Sequence, residues 1–354
     1  MLRRHPWVFS GAIERISEGI SPLAEGDIVD VITKQGEFIA KGHYQIGSIA
    51  VRVLSFEQVE INAEWWAERI AKAKQLREAM GLIGNKETTC YRLVHGEGDG
   101  LPGLIVDIYG DTAVMQAHSV GMHVDRLHIA DAMKVLGDKL KNIYYKSDTT
   151  LPYKADINKD NGYIMGSNAG NISTEYGLKF HIDWLRGQKT GFFVDQRDNR
   201  ALLEKYAKGR KLLNMFCYTG GFSIYALRGG AEIVHSVDSS SKAIDLTNAN
   251  VELNFPGDTR HTAYAEDAFD FLERMGSNYN LIILDPPAFA KHRDSLRNAL
   301  IGYRRLNAKA IEKIQPGGIL FTFSCSQVVS KENFRTAVFT AAAMAKRNVR
   351  ILHQ

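Results

Sequence analysis

KLLNMFCYTGGFSIYAL, residues 211–227, decides the fold of this chain. KLLNMF is a short apolar run of the kind that forms a buried strand, and FSIYAL reads as a helix. Between them Gly220 and Gly221 permit a tight turn and a close approach of backbone to a ligand. The same strand–turn–helix rhythm continues outward from about residue 171 to the end. Strands are read at EIVHSVDS, RHTAYAED, NLIILDPP, GGILFTFSCS and VRILHQ, with helices such as SKAIDLTNANVELN between them. Alternation of this kind predicts a parallel, doubly wound α/β sheet covered on both faces.

In such a sheet, ligands bind beyond the carboxyl ends of the strands, near the point where strand order reverses. An aspartate stands at three of these ends. Asp238 lies eighteen residues beyond Gly220 and can accept two hydrogen bonds from ribose hydroxyls. Asp267, in AEDAF, can accept from an amine on a base ring. Asp285 precedes two prolines, which fix the backbone and withhold donors. Any one aspartate could equally be an ordinary helix N-cap. The first loop lacks G-x-G-x-x-G, the glycine pattern that cradles a pyrophosphate. A nucleoside ligand with ribose and adenine but no pyrophosphate fits, and S-adenosylmethionine is one. A nicotinamide-dependent oxidoreductase is disfavoured on the same ground.

Upstream, GDIVDVIT, GEFIAKGHY and IAVRVLSF are short strands with glycine-bearing turns, the pattern of a small β-barrel or sandwich. NAEWWAERIAKAKQLREAMG follows as a connector helix, with Trp66, Ile70, Ala73 and Met80 at helical spacing and Gly81 placed to end it. Residues 88–170 read as a glycine-led hairpin, a helical segment near 122–140 and the strand KNIYYKS: an α+β unit. GEGDGLPG within it lacks the Lys-Ser/Thr of a phosphate loop and reads as a structural turn.

The chain has 354 residues, 45% hydrophobic and 24% charged, an ordinary composition for a soluble protein of two or three domains. No run is apolar enough for a membrane span, and MLRRHPWVFSG lacks the layout of a signal peptide. Cys90, Cys217 and Cys325 stand far apart with no C-x-x-C pair, so no disulfide framework and no metal site is expected, and a reducing cytoplasm fits. A net charge of +4 permits a nucleic-acid partner without demanding one.

LLNMFCYTGGFSIYAL, SVDSS, AEDAFDFL, DPPAFAK and FSCSQ together resemble the successive motifs of class I S-adenosylmethionine-dependent methyltransferases. More narrowly, with RRHPWVFSGAI, HGEGDGLPGLIVD and QKTGFFVDQRDNR, nearly the whole chain resembles the 23S rRNA (cytosine-C5)-methyltransferase I family. The resemblance implies a PUA-type RNA-binding β-barrel over residues 1–65, a connector helix and central α+β domain over 66–170, and a Rossmann-like methyltransferase domain over 171–354. It implies that the loop from Phe216 to Gly221, with Tyr218 and Gly220 in it, packs on the methionine part of the cofactor. Asp238 would hold its ribose, Asp267 its adenine, and Asp285 would lie between cofactor and target base. Gln196 and Arg197 would line the cofactor wall or the RNA path. The family has a β segment ahead of RRHPWVFSG and another after VRILHQ that this sequence lacks, so both ends of the fold are expected to be incomplete. A homodimer is left open.

Carbon 5 of cytosine is too weak a nucleophile to attack a sulfonium methyl directly; a thiolate adding to carbon 6 makes it enamine-like. Cys325 ends the strand expected beside that of Asp285. From the residues alone it is either an inert small hydrophobe or a nucleophile; the resemblance favours the nucleophile. Cys217, among apolar neighbours, suits a packing role, and Cys90, with no partner motif, is structural or incidental. KHRDSLRNALIGYRR offers His292, Lys291, Arg293, Arg304 and Arg305 as an RNA-facing surface or as a solvated helix face. Methylation of uracil carbon 5 or of a guanine ring nitrogen stays open, as does a catalytically silent RNA-binding assembly factor.

Overall fold

The computed structural model describes residues 4–17, 22–152, 160–167, 170–290 and 292–354. The chain forms two compact units, Met1–Gly177 with Ile182–Val194, and Leu178–His181 with Asp195–Gln354.

The first unit opens with β1 (Trp7–Phe9), β2 (Ile28–Ile32), β3 (Phe38–Tyr44) and β4 (Ile49–Ser55). The PUA-type barrel expected here takes the form of an antiparallel sheet in the order β1-β4-β3-β2, closed over Val8, Ala40, Val51 and Val53. Helix α1 (Ala63–Ala79) starts at Asn62, whose side chain accepts from the Trp65 N–H at 3.0 Å. Trp66, Ile70 and Ala73 are buried as their spacing predicts, and Gly81 ends the turn at φ +69°. Met80 departs from the predicted stripe: it caps the helix and is 63% exposed.

Then come β5 (Cys90–His95), β6 (Leu104–Tyr109), β7 (Thr112–Ala117), α2 (Val120–Val124), α3 (Arg126–Ala132), β8 (Asn142–Tyr145), β9 (Gly162–Met165) and β10 (Ile172–Glu175). Strands β5 to β9 lie side by side in sequence order, antiparallel except for the β7–β8 pair, so this part is α+β. GEGDGLPG forms one turn of 3-10 helix and a left-handed Gly100. Asp99 in it accepts the His95 N–H and is paired through both oxygens with the Arg77 guanidinium, the two side chains lying almost wholly out of solvent. The run is thus a turn riveted to α1, with its carboxylate already committed. Segment 182–194 joins this unit through Thr190, whose hydroxyl donates to the fully buried Asp107 at 2.6 Å.

The second unit holds β11 (Leu178–His181), α4 (Arg197–Ala207), β12 (Lys211–Met215), α5 (Gly221–Arg228), β13 (Ile233–Asp238), α6 (Ser241–Asn254), β14 (His261–Ala265), α7 (Ala268–Arg274), β15 (Leu281–Leu284), α8 (Leu296–Lys313), β16 (Ile319–Thr322) and α9 (Lys331–Met344). Strands β12 to β16 form one parallel sheet in the order β14-β13-β12-β15-β16. The chain runs from β12 outward to β14, then returns to β15 on the other side of β12. Strand order reverses there, which in an open α/β sheet is where the ligand crevice lies, at the carboxyl ends of β12 and β15. Leu212, Leu213, Met215 and Leu281 to Leu284 are fully buried, which is why these strands read as continuous apolar runs.

One expected strand is not formed. VRILHQ belongs to residues 347–354, which have neither helix nor strand, and Ile351 and Leu352 are exposed. Among the described residues β16 pairs with β15 alone and its outer edge stays open, so this segment makes no ladder with it; its His353 ring nitrogen meets the Tyr206 hydroxyl at 3.0 Å instead.

Candidate active site

The loop between β12 and α5 is held in an unusual shape. Phe216 (φ +58°), Tyr218 (φ +47°) and Gly220 (φ +77°) all adopt left-handed backbone, which costs a non-glycine residue about 1–2 kcal/mol. Such strain persists only where surroundings over-determine it. Here they do. The Cys217 N–H donates to the Val237 carbonyl, and the Tyr218 N–H donates to Asp238 Oδ2 at 3.0 Å. From α6, Thr247 Oγ1 donates to the Tyr218 carbonyl at 2.9 Å and Asn250 Nδ2 to the Thr219 carbonyl at 3.0 Å. A Cβ at Gly220 would lie 2.6 Å from Thr247 Cγ2, so glycine is needed there for space as well as for φ. Thr247 and Asn250 are fully buried. Pattern reading missed both, because polar residues on an α-helix look like its solvent face.

Asp238 ends β13, half-buried, and accepts the Ser240 N–H at 2.9 Å through its other oxygen. Each carboxylate oxygen keeps a further lone pair, so the group both shapes the first loop and can receive two hydroxyls. Asp267, beyond β14, is the N-cap of α7: its Oδ1 accepts the N–H groups of Phe269 (2.8 Å) and Asp270 (3.2 Å). Both readings of this residue hold together, since Oδ2 makes no hydrogen bond among the described residues and the side chain is exposed. A nucleoside fits this donor set. The three left-handed residues fold the loop into a tight backbone turn against α6, and two acceptor carboxylates follow at successive strand ends.

At the other side of the crevice, β15 and β16 are in register with Leu284 opposite Thr322. Asp285 therefore leaves the sheet opposite Phe323, and Cys325 follows two residues later on that neighbouring strand end. Cys325 is exposed, with Sγ 3.6 Å from the Pro286 carbonyl. Its loop is fixed by Ser326, whose hydroxyl meets the Tyr303 hydroxyl at 2.9 Å and accepts the Ala290 N–H at 3.3 Å. Gln196, just before α4, reaches Asp285 Oδ2 with its Nε2 at 3.5 Å, and its own Oε1 accepts from Asn199 at 2.7 Å. Phe216, Tyr218, Gly220, Asp238 and Asp267 thus gather on one flank, and Gln196, Asp285 and Cys325 on the other.

The remaining thiols differ. Cys217 is buried, and burial together with the Asp238 charge pushes its thiol up to about 12, so it stays protonated. Cys90 is buried in the first unit, its Sγ 3.3 Å from the Thr174 carbonyl. Among the described residues no cluster of three or more His, Cys, Asp or Glu could hold a metal ion, and no helix is long and apolar enough to cross a membrane. Lys291 lies outside the described residues.

Known proteins resemble this chain along most of its length. The pattern of the S-adenosylmethionine-dependent methyltransferase family matches residues 163–340, and that of the PUA-like domain matches residues 1–56. Ribosomal RNA large subunit methyltransferase I of Aeromonas hydrophila is 39% identical over 361 residues, covering 99% of this chain and 89% of the relative. The protein of the same name from Erwinia tasmaniensis is 37% identical, covering 100% and 90%. The chain belongs to the ribosomal RNA large subunit methyltransferase I family. Its cofactor is S-adenosylmethionine, and the donor set at the ends of β12 to β14 suits that molecule. In fold, this methyltransferase is similar to a solved putative methyltransferase complexed with SAH, at a TM-score of 0.81 and 22% identity, over 96% of this chain and 87% of that one.

Proposed function

We propose that this methyltransferase modifies carbon 5 of a cytosine in the 23S RNA of the large ribosomal subunit, through a covalent adduct on Cys325. The observation that carries this reading is the pairing of an exposed thiol with a carboxylate on adjacent strand ends, across the crevice from the cofactor cradle. The names of the relatives supply the RNA class, and the PUA-like domain suits an RNA partner.

When bound, S-adenosylmethionine supplies an electrophilic methyl group. The loop from Phe216 to Gly220 and the carboxylates of Asp238 and Asp267 bind and orient it. Asp285 accepts a hydrogen bond from the exocyclic amine of the target base, fixing the ring over Cys325. Gln196 steadies that carboxylate from its other side. The Cys325 thiolate then forms a bond to carbon 6, and the displaced electron pair makes carbon 5 nucleophilic toward the methyl. Loss of the carbon 5 proton returns the pair to the ring and releases the thiolate. A base inside a duplex must first be flipped out, or be presented single-stranded. A cysteine is superfluous for methylating a guanine nitrogen, and a uracil offers no exocyclic amine to Asp285. The site uses one chain's residues, so it does not require the homodimer that the sequence allows. A ribosomal RNA substrate fits the cytoplasm.

Nucleoside mass spectrometry of large-subunit RNA incubated with enzyme and cofactor tests the reading. The expected product is 5-methylcytidine; a methylguanosine or 5-methyluridine product overturns it.

A further inference from the structure

We propose that the groove between α8 and α9 binds the phosphate backbone of the RNA strand that carries the target base, which deepens the function proposed above and rests on it. The groove, about 610 Å³, is lined by Arg293, Arg297 and Arg304 with one carboxylate, Asp294, and between them by polar Asn333 and by apolar side chains such as Leu300. Arg293 and Arg297 are exposed. None of the three guanidiniums is ion-paired among the described residues, and Arg304 Nε is buried without a hydrogen-bond partner.

Three further observations give the groove its sign and its purpose. Arg297 sits in the first turn of an eighteen-residue helix whose first turn has no acidic residue, and the N-cap Ser295 makes no side-chain hydrogen bond. Cations are disfavoured there, because the helix N-terminus already carries positive partial charge and orphan N–H groups. A local rule broken in this way marks a place where an outside anion completes the structure. Second, α9 also begins at the groove: Ser330 caps the Asn333 N–H and Glu332 stands in the same turn, so this end contributes the polar side chains of Asn333 and Thr336 to the lining and leaves the positive charge to α8. Third, the walls are the two helices that follow the candidate catalytic residues: α8 comes after the loop from Asp285, and α9 after the loop from Cys325. Ser326 ties both loops to Tyr303 of α8. A strand held by its phosphates in the groove is therefore in fixed register with Cys325. Arginine suits this task because its planar fork matches phosphate oxygens.

The test uses the full chain, an RNA fragment that wild-type enzyme methylates, and the exposed pair Arg293→Ala/Arg297→Ala, with Arg297→Lys as a charge-retaining control. RNA affinity is measured by fluorescence anisotropy over a salt series, and S-adenosylmethionine affinity by calorimetry. The double variant is expected to bind RNA about tenfold more weakly near physiological salt. Its slope of log K against log salt should fall by about 1.4, or 0.7 for each phosphate no longer neutralised. Cofactor affinity should be unchanged, and Arg297→Lys should keep most of the slope. Unaltered RNA affinity and slope in the double variant, with wild-type transfer intact, overturn the groove alone. So does a loss of affinity for an acidic polypeptide without loss of RNA affinity. A wild-type enzyme that binds cofactor but transfers no methyl to ribosomal RNA overturns the underlying function, and the groove with it.

Discussion

Replacing Gly220 by alanine tests whether the shape of the first loop makes the cofactor site. Two costs follow from its geometry. The residue sits at φ +77°, where an alanine costs about 1–2 kcal/mol. Its Cβ would also lie 2.6 Å from Thr247 Cγ2 and 3.2 Å from Thr247 Oγ1, so the threonine must turn away. Turning it gives up the hydroxyl bond to the Tyr218 carbonyl, a further ~1 kcal/mol. The sum, ~2–3 kcal/mol, appears as lost stability if the loop keeps its shape. If the loop relaxes instead, it appears as a roughly 30- to 140-fold rise in the Kd for S-adenosylmethionine, with each factor of ten worth about 1.4 kcal/mol. Adding Thr247→Ser separates the two costs, because serine removes the clashing methyl and keeps the hydroxyl. The double variant should recover ~1 kcal/mol relative to Gly220→Ala, a coupling that residues in contact show and distant ones do not. Calorimetric titration and urea unfolding read both quantities. A Gly220→Ala protein with wild-type stability and affinity, or no recovery on adding Thr247→Ser, refutes the reasoning.

Asp238→Ala should raise the cofactor Kd at least tenfold, more than Asp267→Ala, because it removes both the ribose acceptor and the anchor of the Tyr218 N–H; calorimetry ranks the two. Iodoacetamide should alkylate Cys325 in the folded chain while Cys217 and Cys90 react only after denaturation, as peptide mass spectrometry would report; comparable labelling of Cys217 contradicts its burial. Burial, with the neighbouring His235 charge adding to it, holds His261 down at about 4, against 6.5 when unfolded. The unfolded chain therefore takes up this proton first, and stability falls as pH drops from about 6.5 to about 4, by ~3 kcal/mol. His261→Asn should flatten that stretch of a urea-unfolding profile.

Much of this architecture is legible in the order of residues. The parallel sheet shows in apolar runs that end in aspartate or glycine, since strands buried on both faces leave no polar alternation. The adjacency of Asp285 and Cys325 follows once β15 and β16 are neighbours. What stays hidden depends on partners that no periodicity names. VRILHQ has the composition of a strand but pairs with no other strand, and its composition alone does not name the partner it would need. Thr247 and Asn250 are polar on a helix yet buried, because the loop carbonyls they satisfy are far away in sequence. QKTGFFVDQRDNR reads as one motif, yet Thr190 bonds Asp107 in the first unit while Gln196 meets Asp285 in the second. The second role of Asp267, as helix cap, needs no hidden partner and is visible in the sequence as an alternative.

The claim that Cys325 forms the covalent bond can be tested with an RNA substrate carrying 5-fluorocytidine at the modified position. Fluorine on carbon 5 cannot leave as a proton does, so the thiol–carbon 6 bond, once formed, has no route to break after methyl transfer. The wild-type enzyme with S-adenosylmethionine should give a protein–RNA adduct that survives denaturing electrophoresis and maps to Cys325, while Cys325→Ala gives none and still binds cofactor with wild-type affinity. An adduct at another residue, or undiminished 5-methylcytidine formation by Cys325→Ala, contradicts it.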